Sequence, residues 1–298
     1  MSGTVLQLRS HEVWRALEVV DPVATMAEYL IGRTVGRAGH RHESAGRLVS
    51  WRGAGPNGTE LVLLDHPDAT GPCVLPAQSL RSSQVAALAA VAAREMLVPG
   101  GVTMAMLGPA ADTQPQLAVV ARHVPDISHV ALFLGTEARA EGVEPRLVDQ
   151  LELSGIQLSV AGSVADAVFG ANLVIATSNP TDALDLADLR PGRLARGALL
   201  INATGEGLPA DLVARVDQVF VDDLGLLDGH PRGVGTRLAD RVIDGDLAQL
   251  LTGQHAGRRH PGDLVLVELL CAHELNADLA FRIYEVATQT GLGVRTAN

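Results

Sequence analysis

The chain has no lysine: all 23 residues in its Lys+Arg total are arginine. Arginine stays protonated at any working pH, so it can hold an anion but cannot shuttle a proton or form a Schiff base. Acid–base chemistry must therefore fall to His, Asp, Glu, Tyr or Cys. A GC-rich genome that writes Arg for Lys throughout would explain the absence, and the chemical consequence is the same. Cysteine is nearly absent too. Cys73 and Cys271 stand alone with no CxxC spacing, which excludes a disulfide framework and a cysteine-based zinc site. There is no surplus of positive charge. The formal charge of −11 disfavours nucleic acid or anionic lipid as a main partner. Long apolar runs are missing as well. The longest, Val85 to Ala111, is broken by Arg94, Glu95, Pro99, Gly100 and Gly101, so it reads as helix, turn and strand and not as a membrane span. The first residues show no basic stretch followed by an apolar run, so no secretory signal is expected and a cytoplasmic location is the default.

What is present is a globular chain. Its 298 residues, 47% hydrophobic and 19% charged, can bury a full core and are expected to divide into two domains. Asp21-Pro22 opens a helix in the expected way, with Asp as N-cap and Pro at the first helical position. Strand-like pieces follow at Gly46–Trp51 and Glu60–Asp65, and then an alanine-rich helix from Leu80 to Met96. Pro99-Gly100-Gly101 marks the first domain junction. Beyond it strand and helix patterns alternate. Strands are predicted at Val102–Leu107, Val130–Leu134, Ile156–Ala161, Leu173–Ala176, Ala198–Asn202 and Gln218–Val221. The helices between them are predicted near Gln114–His123, Glu144–Ser154 and Ser163–Phe169. Buried runs joined by helices predict a parallel sheet covered on both faces, hence an α/β, Rossmann-type doubly wound domain over 102–236. Residues 1–101 and 237–298 would form a second, discontinuous α+β domain. Its last part is expected to be a long helix from Leu264 to Gly291 that packs on the N-terminal region.

A dinucleotide site needs G-x-G-x-x-G/A directly after the first strand. Here that place reads Gly108-Pro109-Ala110-Ala111-Asp112-Thr113. Gly108 keeps the turn. Ala110 puts a methyl where the pyrophosphate should approach, Pro109 removes an N–H, and Thr113 takes the third position. Asp112 adds a negative charge at a helix N-terminus, where it suits a cap but repels phosphate. The second strand ends in Leu134-Gly135-Thr136, with Glu137 late for a ribose contact. The fold signal is thus stronger than the signal for NAD or NADP.

Several segments, in order, resemble the ornithine cyclodeaminase/mu-crystallin family. They are Leu80-Arg81-Ser82-Ser83-Gln84-Val85-Ala86-Ala87-Leu88-Ala89-Ala90, Gly170–Ser178, Leu189-Arg190-Pro191-Gly192 with Leu200-Ile201-Asn202-Ala203-Thr204-Gly205, and Asp278-Leu279-Ala280 with Tyr284 and Gly291-Leu292-Gly293. The resemblance implies a homodimer whose catalytic site lies between two domains. It also implies a nicotinamide cofactor and a small amino or imino acid substrate that passes through an imine. Carried over, Arg81 would hold the substrate carboxylate, a task that suits a guanidinium, with help from Arg41. Thr177 and Ser178 would join Gly108, Ala110 and Thr113 around the cofactor. A snorkelling Arg81 and a solvated Arg41 are the plainer alternatives.

The departures concern chemistry. The family's catalytic lysine cannot exist here, and the first domain looks shortened between Arg41 and Glu60. The aspartate that follows the INAxG strand in the family has no clean counterpart. Glu206 is one position away and is the first acid–base candidate, with an exposed turn carboxylate as the plain alternative. His273 stands where the family has a glycine and is the second, with a core or surface histidine as its alternative. His40 and His42 flank Arg41 on a presumed strand, but no carboxylate at suitable spacing completes a metal site. Two readings remain open. One is an NAD(P)-linked oxidoreductase or cyclodeaminase-type enzyme with Glu206 or His273 in place of the lysine. The other is a non-redox homologue that has lost cofactor binding and serves as a binding or partner subunit, or as a cofactor-independent enzyme.

Overall fold

The computed structural model describes residues 4–37, 46–52, 60–135, 143–177, 186–227, 238, 241–270 and 275–297. In chain order the first elements are β1 (Thr4–Gln7), α1 (Ser10–Leu17), α2 (Pro22–Arg37), β2 (Arg47–Arg52), β3 (Glu60–Asp65), β4 (Cys73–Pro76) and α3 (Ala77–Met96). Then come β5 (Val102–Leu107), α4 (Ala110–His123), β6 (Ile127–Phe133), α5 (Pro145–Leu153), β7 (Gln157–Val160), α6 (Val164–Ala167) and β8 (Leu173–Thr177). The last are β9 (Leu199–Ala203), α7 (Ala210–Val213), β10 (Gln218–Val221), β11 (Gly245–Asp246), α8 (Leu247–Leu251), β12 (Val265–Glu268), α9 (Ala277–Thr290) and β13 (Val294–Ala297).

Two compact units result: Met1–Gln84 with His273–Asn298, and Val85–Ala272. The first is built on a mixed sheet of order β13-β1-β4-β3-β2, in which β1 runs parallel to β4 and the other pairs are antiparallel. The N-cap signal at Asp21 is realised: the Ala24 N–H donates to Asp21 Oδ1 at 2.9 Å. Asn276 does the same for α9, accepting from the Leu279 N–H at 2.8 Å, and Gly291, at φ +70°, ends that helix. Leu279, Ala280, Ile283, Tyr284 and Ala287 form its buried stripe. Phe281 stacks on His66 with ring centroids 3.7 Å apart. The Tyr284 hydroxyl accepts from the Thr70 N–H at 3.0 Å. The C-terminal helix therefore belongs with the N-terminal segment, as the sequence pattern predicts.

The second unit is an all-parallel sheet of order β11-β10-β12-β9-β8-β5-β6-β7. β8, β9, β10 and β12 are buried at every residue, as expected where helices cover both faces. Strand order reverses between β5 and β8, which places the ligand crevice at the carboxyl ends of those two strands.

Three boundaries differ from the sequence reading. The stretch from Leu264 is not the start of the last helix. Val265–Glu268 is a strand between β9 and β10, and the helix starts only at Ala277. A strand buried on both faces has no period of two, so an apolar run of this length resembles a helix segment. For the same reason the parallel sheet does not end at 236: β11 and β12 belong to it, and the division falls at 272/273. The other division, 84/85, falls inside α3 and not at the Pro99-Gly100-Gly101 turn. Every residue from Ser82 to Ala93 is buried, which suits a helix made mainly of alanine and serine.

Candidate functional site

At the switch point, β5 ends in Leu107, which stands in register with Phe133 of β6 and Ala176 of β8. Gly108 follows at φ +153°, and its N–H donates to the Phe133 carbonyl at 3.0 Å. A Cβ at Gly108 would lie 2.4 Å from Thr177 Oγ1, 2.6 Å from the Thr177 carbonyl and 3.2 Å from Thr113 Oγ1. Only glycine fits. Thr177 turns its hydroxyl back to the Leu107 carbonyl at 3.4 Å, so it closes the β5–β8 seam. Helix α4 begins two residues after Gly108, earlier than the sequence suggests, with Pro109 as an N-cap that supplies no side-chain acceptor. Its first amides, at Ala110 and Ala111, point out of the helix end as in any α-helix. Thr113 is buried, and its Oγ1 has no hydrogen-bond partner among the described residues. Asp112 is not a surface cap: it is 2% exposed.

Further along the same edge, β9 and β12 pair Asn202 with Glu268. The Asn202 amide nitrogen donates to both Glu268 oxygens at 3.0 and 2.9 Å and to the Glu206 carbonyl at 3.0 Å. Its oxygen accepts from the Thr204 hydroxyl at 2.8 Å and the Thr204 N–H at 3.2 Å. The Glu206 N–H in turn donates to Thr204 Oγ1 at 3.0 Å. This network fixes the turn after β9 and holds the Glu206 backbone, while the Glu206 side chain is exposed. Asp222, Asp223 and Asp246 are buried at the ends of β10 and β11, and Glu268 is a buried carboxylate at this edge. Sequence reasoning missed it because the residue sat inside a run read as helix. The available signal was a lone acid closing an apolar stretch.

In the first unit, Arg81 lies in the second turn of α3. Its side chain is 18% exposed. Nη1 donates to Gln78 Oε1 at 3.1 Å and Nη2 to Glu60 Oε2 at 3.3 Å. Arg81 thus already holds a carboxylate, one supplied by the first residue of β3. Arg41, Ser178 and His273, with His40 and His42, lie outside the described residues. Among the described residues no group of three His, Cys, Asp or Glu side chains is arranged to hold a metal ion, and no helix is long and apolar enough to cross a membrane. A groove of about 780 Å³ runs along edge strand β7, lined by His129, Glu152, Ser159 and apolar neighbours. It contains none of the loop residues.

The sequence profile of the ornithine cyclodeaminase/mu-crystallin family matches residues 52–271. The chain belongs to this family. Among curated relatives, the N-((2S)-2-amino-2-carboxyethyl)-L-glutamate dehydrogenase of Staphylococcus aureus is 21% identical over 264 residues, covering 86% of this chain and 74% of that protein. The crystal structure of CmnK superposes with a TM-score of 0.73 at 19% identity, covering 99% of this chain and 98% of the other. An archaeal alanine dehydrogenase dimer with bound NAD superposes with a TM-score of 0.65 at 16% identity, covering 98% and 99%. In doubly wound sheets a dinucleotide's diphosphate binds at the first strand–helix turn, and the residues at the β5–α4 turn fit that use in outline. The glycine turn, the helix N-terminus and the orphan Thr113 hydroxyl are all present. Asp112 opposes it, because a buried carboxylate in the first turn of α4 would weaken the field that attracts a diphosphate to the helix N-terminus.

Proposed function

We propose that this chain is an NAD(P)-linked enzyme of the oxidoreductase or cyclodeaminase type, acting on a small amino or imino acid. One observation carries the reading: the Gly108 turn lies at the switch point of an eight-stranded parallel sheet, in a chain that belongs to a family with this fold. The bound nicotinamide would supply the hydride acceptor or donor. The chain's own residues do the rest. Gly108, the Ala110 and Ala111 amides and the Thr113 hydroxyl would bind the diphosphate, with Thr177 fixing the turn and Ser178 next to it in the chain. Arg81 would hold the substrate carboxylate, with Arg41 assisting. With lysine absent, the proton that leaves the substrate nitrogen falls to Glu206 or His273. A homodimer is the proposed assembly, supported by the dimer named for the alanine dehydrogenase.

A second reading has its own support. The missing lysine and the buried Asp112 carboxylate beside the diphosphate position favour a homologue that keeps the fold without hydride chemistry. One experiment separates the two: native mass spectrometry of the purified protein, followed by titration with NADH and NADPH under nicotinamide fluorescence. A retained or titratable dinucleotide is the expected result. No binding of either at millimolar concentration would remove the redox reading.

A further inference from the structure

Arg81 and Glu60 share more than a surface ion pair. Glu60 Oε2 takes one N–H of the Arg81 guanidinium at 3.3 Å, in a single contact and not a two-pronged one. A guanidinium carries five N–H donors. Among the described residues only two contacts use them, to Gln78 and Glu60. Glu60 Oε1 accepts no hydrogen bond among the described residues, and the Glu60 side chain is 35% exposed. Among the described residues the pair therefore leaves guanidinium N–H groups unused beside an unused carboxylate oxygen, on residues of two different elements, β3 and α3, that fall in the same unit. An amino acid zwitterion presents the complementary pattern, with carboxylate and ammonium on one carbon. Simple competition would instead make Glu60 an obstacle, because a substrate carboxylate would have to displace it.

We infer that Glu60 is a specificity residue that receives the α-ammonium group of a free amino acid whose carboxylate is held by Arg81. The pair then selects zwitterions over the corresponding acids that lack the amino group. This rests on the assignment of Arg81 to the substrate carboxylate. The test uses matched probes that differ only at that nitrogen: L-alanine against propionate, L-ornithine against 5-aminopentanoate, and L-proline against cyclopentanecarboxylate. Binding is followed by ligand-detected NMR on the full-length protein with saturating NAD+. For at least one pair the amino acid is expected to bind about tenfold tighter, as charge-assisted hydrogen bonds at half-exposed sites allow. Glu60→Gln should bring that ratio near one while propionate-type probes bind as well as before or better. Arg81→Ala should remove both members of the pair. If Glu60→Gln weakens both members equally, Glu60 only positions Arg81 and the inference fails, although the carboxylate site stands. If Arg81→Ala leaves binding unchanged, or if no probe binds the unmodified protein, the carboxylate assignment itself falls.

Discussion

Replacing Gly108 with alanine tests whether the turn after β5 is built as described. The added Cβ would meet Thr177 Oγ1 at 2.4 Å and the Thr177 carbonyl at 2.6 Å, both well inside contact distance. One neighbour is a side chain and can rotate; the other is backbone of a central strand and cannot move without shifting β8. The residue must also hold φ +153°, a conformation worth about 1–3 kcal/mol of strain for an L side chain. Forced overpacking adds about 1–3 kcal/mol. Together these predict a loss of about 2–6 kcal/mol, a large part of the ~5–15 kcal/mol that folds typically have. The melting temperature should fall by about 4–24 °C, at roughly 2–4 °C per kcal/mol for a unit of this size. Two units need not unfold together. Calorimetry should therefore be paired with hydrogen exchange on peptides covering β5 and β8, where protection should drop first. Thr177→Ala removes the hydroxyl clash but not the carbonyl clash or the strain, so the double mutant should recover less than half of the loss. If Gly108→Ala lies within about 0.5 kcal/mol of the parent, the described turn geometry is wrong.

Three other perturbations follow from the same physics. Burial pushes the Cys73 thiol up from 9.0 to about 12, against a weaker opposing effect of Arg295. In a Cys271→Ser background it should therefore resist Ellman's reagent at pH 8 and at pH 9.5 and react once unfolded. The neutral thiol is the folded form, so its contribution to stability is intact below pH 9 and lost between 9 and about 12; rapid native labelling at pH 8 would refute this. Glu268→Leu removes two acceptors from the buried Asn202 amide and should lower stability by about 1–3 kcal/mol. Adding Asn202→Leu should cost less than the two single changes summed, and strict additivity in urea melts would contradict the network. Asp112→Asn removes a buried negative charge from the first turn of α4. NADH should bind several-fold tighter while stability falls by about 0.3–1 kcal/mol; unchanged NADH affinity would show that this charge does not reach the diphosphate.

Local signals determined much of this protein. Asp21 and Pro22 start α2, Val102–Leu107 is a strand with the bounds its residues suggest, and Gly108 marks a place where a side chain cannot stand. The alternation of short apolar runs with helical patterns was enough to predict a doubly wound parallel sheet, because each element has its own period and punctuation. The lack of lysine also set a chemical limit that no fold could change.

Only the tertiary structure decided the rest. The assignment of Val265–Glu268 to the sheet depends on being covered on both faces, which erases the period that would mark it as a strand. Its last residue, Glu268, meets Asn202 from 66 positions away, and Glu60 meets Arg81 from 21 away. No local pattern encodes such pairs. Strand register and helix packing bring them together, so a carboxylate that looks solvated in the sequence becomes the partner of a buried amide or of a largely buried guanidinium. The sequence could name Arg81 as the proposed carboxylate-binding arginine, but the acid that meets it, Glu60, was set by where β3 begins relative to α3.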